Sequence, residues 1–166
     1  MRNSRNRPVG RRVVASVIAT ALFAVCAPAA AAAEYVDAGS YLRGDAEYEA
    51  WYRVVHGLRR GFDDICGDTF CEGDYSNLES LRFVCSVDRV SGIIAQCVWV
   101  FAGSQEQIDP ATGRVKVVAR SWRCKSPLAP RTTMEALLAA LDGDSPLRAP
   151  LPATQRSIYD GLIDCL

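Results

Sequence analysis

The chain has one histidine, His56, no glycine-x-serine-x-glycine elbow and no Cys-x-x-Cys pair. Each absence removes a chemistry. Without the elbow, a serine nucleophile lacks the strand-to-helix turn that would expose it. The closest cysteines, Cys66 and Cys71, are separated by four residues, which suits neither a thioredoxin-like redox pair nor the usual zinc cluster. A lone His56 among Arg53, Arg59 and Arg60, on the polar side of a predicted helix, reads as a surface residue rather than a general base. Acids are missing too: none precedes Glu34.

That acid-free stretch is the first positive signal. Arg2, Arg5, Arg7, Arg11 and Arg12 precede an apolar run from Val13 to Ala27, and Ala29–Ala33 supplies small residues for cleavage. Residues 1–33 are therefore expected to be a cleaved signal peptide, and the Ala and Arg bias points to a bacterial chain. The Val13–Ala27 run is shorter than the ~20 residues that cross a bilayer and there is no second one, so no transmembrane segment is expected in the mature form. Val25 is bulkier than a lipid-attachment box wants, which argues against a lipid anchor at Cys26. The expected destination is the periplasm or the medium.

Losing five of the 19 cations leaves 14 against 19 acids, a balance near −5. A mildly acidic domain with no basic stripe argues against nucleic acid or an anionic membrane as partner. The 133 residues of 34–166 make one domain, with Cys66, Cys71, Cys85, Cys97, Cys124 and Cys165 available as staples. Six cysteines allow fifteen pairings, and sequence alone does not select one. Geometry favours Cys85 with Cys97, which lie equidistant from Ser91 if Ser91-Gly92 turns a hairpin. Cys66–Cys71 and Cys124–Cys165 are then the remaining candidate pairs.

Periodicity predicts an α+β fold. Over residues 45–66, Tyr48, Trp51, Tyr52, Val55, Leu58, Phe62 and Ile65 recur at helical spacing, with Gly57 and Gly61 each weakening the helix by ~1 kcal/mol. Ser76-Asn77-Leu78-Glu79 has a capping-box pattern suited to one helical turn. Leu81, Phe83, Cys85 and Val87 then alternate, and Ile93–Ala102 is apolar on both faces. Aligning Cys85 with Cys97 places Phe83 opposite Trp99 and Leu81 opposite Phe101. Asp109–Gly113 is a turn leading to a third strand over Arg114–Cys124, with Trp122 near Phe101.

Past Pro127, Thr132-Thr133-Met134-Glu135 begins a helix that Gly143 stops, a proline-bearing connector follows over 144–153, and a last helix runs from about Thr154 to Cys165. The expected architecture is an N-terminal helix packed on a three-stranded antiparallel meander, with two C-terminal helices, disulfide-stapled. Its helix-then-meander order resembles cystatin-type folds in topology alone, and no functional residue carries over.

The least generic stretch is Asp63–Tyr75, with five carboxylates at 63, 64, 68, 72 and 74. Asp68, Glu72, Ser76 and Glu79 fall at calcium-loop offsets, but Phe70 occupies a ligand position. The simpler reading is a solvated turn pinned by sulfur. Asp68, Glu72 and Asp74 are the candidate binding residues, because function concentrates on loops held by rigid scaffolds. The expectation is a non-enzymatic exported module, inhibitor-like or binding a protein or cell-envelope component. The alternatives are a calcium-stabilised domain and a small hydrolase using Glu72 or Asp74 with His56. No other cofactor is implied.

Overall fold

The computed structural model describes residues 33–72 and 75–166, the side chains of Asp68 and Thr69 excepted. The expected leader and Cys26 lie outside the described residues. In chain order the elements are β1 (Tyr35–Asp37), α1 (Ala38–Tyr41), α2 (Asp45–Ile65), a π-helical turn (Cys66–Phe70), β2 (Glu79–Asp88), β3 (Ile94–Ile108), β4 (Val115–Lys125), α3 (Met134–Ala140) and α4 (Ile158–Ile163).

The strands form one antiparallel sheet in the order β1-β2-β3-β4. The expected meander is present, with Cys85 opposite Cys97, Phe83 opposite Trp99 and Phe101 opposite Trp122. Two corrections concern its margins. A fourth strand is added by β1, which pairs Tyr35–Asp37 with Asp88–Ser86; three residues carry too little pattern to announce a strand. Leu81 does not face Phe101. A bulge between Ser80 and Arg82 puts Ser80 there and leaves Leu81 57% exposed. The buried Ser80 hydroxyl accepts the Trp99 indole N–H at 3.2 Å, which satisfies both polar groups.

Helix α2 covers one face of the sheet. Its buried stripe is Val54, Leu58 and Phe62, and Phe62 meets Phe101 and Trp99 at centroid distances of 4.7 and 5.8 Å. Tyr48 and Tyr52, placed by spacing on the buried face, are 47% and 68% exposed. Tyr52 stands about 120° around the helix from Leu58, outside the stripe. Gly57 and Gly61 have a packing role that outweighs their helical cost. A Cβ at Gly57 would lie 2.8 Å from Pro146 Cγ, and one at Gly61 would lie 3.3 Å from Leu147 Cβ. The 144–153 connector thus rests directly on the helix backbone.

The helix ends also shift from expectation. Ser76–Asn77 is a turn and Glu79 opens β2, because the Asn77 amide is tied to β3 instead. It accepts the Ser104 backbone N–H at 2.8 Å and donates to the Ser104 hydroxyl at 2.7 Å. Thr133, not Thr132, caps α3 by accepting the Ala136 N–H at 3.2 Å. Thr154 caps only a turn, and α4 starts after Ser157. Cysteine pairs 66–71, 85–97 and 124–165 are all at bonding distance. The last spans 41 residues and removes the most freedom from the unfolded chain, roughly 4 kcal/mol in the chain-entropy model.

Carboxylates, exposed at Glu47 and Asp109 and half-buried at Asp88 and Asp160, organise the turns. Glu47 accepts the N–H of Arg43, Asp88 that of Ser91, Asp109 that of Ala111, and Asp160 that of Ser157. These backbone bonds, the leading cause in each case, hold all four carboxyls below their ordinary values. The folded chain therefore prefers them ionised, and their contribution is present above the usual carboxylate range and lost as pH falls through the lowered values. Urea midpoints are expected to decline below about pH 4, with a shallower decline in Asp88→Asn. Gly57→Ala should lower stability by about 1 kcal/mol, because displacing Pro146 outweighs the gain in helix propensity. Gly67→Ala, in a helical turn with nothing within 4 Å, is the clash-free control in the same denaturant titration and should not lower stability.

Candidate functional site

The acidic loop predicted as a site is anchored on both sides. Phe70, the residue that spoils the calcium pattern, is a packing anchor: it stacks on Phe62 at 6.1 Å and meets Tyr159 at 5.9 Å. Past the Cys66–Cys71 link, Tyr75 stands edge-on to Trp122 at 5.2 Å. Glu72, Ser76 and Glu79 are exposed, while Asp74 and the Asp68 side chain lie outside the described residues. Among the described residues no three His, Cys, Asp or Glu side chains converge as a metal cluster. His56 is exposed and stacked on Tyr52 at 5.9 Å. Nine residues of helix, about 14 Å of rise, separate it from Ile65, and Glu72 follows beyond that end.

A different place brings apolar walls and charge together. Strand β1 pairs only with residues 86–88 of β2, so along residues 79–85 that edge has no strand partner among the described residues. Beside this free edge lies a groove of about 250 Å³, walled by Trp51, Val55 and Arg59 of α2 and by Leu81 and Arg82 of β2. Phe83 and Trp99 also line it. The α2 residues recur every four positions and so present one row to the edge. The bulge that displaces Leu81 from the core delivers it here. A second hollow of about 370 Å³, formed by Tyr48, Glu49, Tyr52 and the shared Trp51 and Val55, continues the apolar surface outward.

The charge in the groove is uneven. Arg82 binds Asp37 at 3.3 Å, and Asp37 also accepts the Gly39 N–H at 2.9 Å. Arg59 has no hydrogen-bond or ion-pair partner among the described residues. A cavity this small is below the usual range for small-molecule and cofactor sites, and it suits one apolar side chain with a neighbouring carboxylate. Pattern reading misses this site because Leu81 reaches it through a bulge and Arg59 is read as one of several surface arginines.

The structure also overturns the absence of a basic stripe. Arg114, Lys116, Arg120, Arg123 and Lys125 all lie on or just before β4, where they are exposed. No family model, curated protein or solved structure matches the chain.

With Glu79 committed to a strand, the calcium reading loses the helix that usually follows such a loop. Thermal midpoints in calcium and in EDTA are expected to coincide; a rise in calcium would give the loop a cation.

Proposed function

We propose that this protein is a non-enzymatic binding module, exported and oxidised, that holds an extended segment of a protein or cell-envelope component. The observation that carries this reading is the groove at the free edge of β2, where an unpaired Arg59 stands beside Trp51, Val55 and Leu81. Strand addition gains affinity from main-chain hydrogen bonds and specificity from side-chain pockets, and both elements are available along residues 80–83. An acidic residue of the incoming segment would pair with Arg59, and an apolar neighbour would lie on Trp51. The three cysteine pairs are compatible with an oxidising compartment, and no described helix is long and apolar enough to cross a membrane.

Random peptides displayed on phage and panned on the oxidised protein test the reading. Enriched sequences should pair an apolar with an acidic residue and bind about tenfold more weakly to Trp51→Ala/Arg59→Glu. The acidic-loop variant Asp68→Ala/Glu72→Ala/Asp74→Ala should bind them normally. Peptides lost with the loop variant would move the contact surface to Asp68, Glu72 and Asp74, and peptides that bind both variants normally would refute the groove as the contact.

A further inference from the structure

The opposite edge of the sheet has a different character. Strand β4 pairs with β3 along its whole length and has no strand on its other side among the described residues. Every residue of Val115–Lys125 except Trp122 and Cys124 is exposed, including Val115, Val117 and Val118. The strand contains four cations and no acid, and Arg114 immediately precedes it. The chain's only two lysines, Lys116 and Lys125, are both in it. None of these cations has an ion-pair partner among the described residues; Arg120 lies over the Trp122 ring at 5.1 Å. On a domain with an excess of acids, this edge is a local cationic strip.

How the cations are distributed selects the partner. The register with β3 puts Lys116 and Arg120 on the face shared with Phe101 and Trp122, and Arg123 and Lys125 on the other face. A membrane or a polyanion lying against the sheet would meet only one of these pairs. A strand added in the plane of the sheet projects side chains to both faces and meets both. A second copy of β4 would bring four more cations into the same sheet with no acid to offset them. Cations on an edge strand are a familiar guard against self-pairing, and here the same guard leaves the edge complementary to an acidic chain.

We propose that the free edge of β4 accepts an extended acidic segment of another protein as a fifth strand, its carboxylates paired with Lys116 and Arg120 on one face and Arg123 and Lys125 on the other. This surface is independent of the groove on β2, so either can fail alone.

The probe is a synthetic peptide as long as β4, built of repeated Glu-Glu-Val-Val so that both of its faces carry carboxylates, titrated by fluorescence anisotropy against the full oxidised protein. It should bind, and it should shield Lys116 and Lys125 from an amine-acylating reagent read by mass spectrometry. Lys116→Glu/Arg120→Glu and Arg123→Glu/Lys125→Glu should each weaken binding about tenfold. Proline at the centre of the peptide, which leaves the protein untouched, should abolish it. Trp51→Ala/Arg59→Glu should bind the peptide normally. The proposal is overturned if the peptide does not bind or if the proline peptide binds equally well. It is also overturned if only one face's variant matters, if heparin or phosphatidylglycerol vesicles shield the lysines as well as the peptide does, or if the lysines are already shielded by self-association.

Discussion

The contact of Phe62 with Phe101 and Trp99 is the constraint from which the other arrangements follow. It fixes where α2 crosses the sheet and how the helix is rotated about its own axis. With Phe62 seated, Leu58 and Val54 continue the buried stripe toward the helix start. Trp51, Val55 and Arg59 are then turned toward the edge of β2. The Trp99 ring is oriented within this cluster by its indole N–H bond to the Ser80 hydroxyl. Removing that cluster would release the helix rotation and, with it, the alignment of the groove.

Close backbone approach completes the other side of the helix. Leu147 and Leu151 join the core from the proline-bearing connector, which lies against Gly57 and Gly61 where any side chain would intrude. A further close approach occurs at Gly161, where a Cβ would stand 2.9 Å from the Lys125 carbonyl oxygen and from Pro127 Cδ. Helix α4 is thereby brought against the end of β4, near the Cys124–Cys165 link. Three glycines thus substitute proximity for side-chain volume, and the irregular connector acts as a packed layer of the fold.

Much of this was legible in the sequence, for identifiable reasons. The central hairpin and its register follow from period-two alternation, the Ser91-Gly92 turn and two cysteines that only one alignment brings together; Gly92 indeed has φ of 69°. The length of α2 follows from its apolar spacing, but spacing alone does not give its rotation, so Tyr48 and Tyr52 were assigned to the wrong side. The bulge at Leu81 has no local signature. The capping-box pattern picks Thr132 where Thr133 is the cap, because the Thr132 hydroxyl bonds the Ala129 carbonyl. The last helix starts after Ser157 rather than at about Thr154, whose hydroxyl closes a local turn. The β2 groove and the β4 strip stayed hidden because edge status is a property of strand order, which composition does not report. Reading charge as a whole-domain average obscures the four cations of β4 and Arg114 just before it.

The Cys124–Cys165 link has a mechanical consequence. Cys165 is linked covalently to β4, beyond its backbone hydrogen bond to Leu162 of α4. Tension applied at Leu166 would therefore bypass α3, the connector and α4 and enter the sheet at Cys124. The load would fall on the β3–β4 hydrogen bonds, and the helical tail would stay slack until the sheet itself gave way.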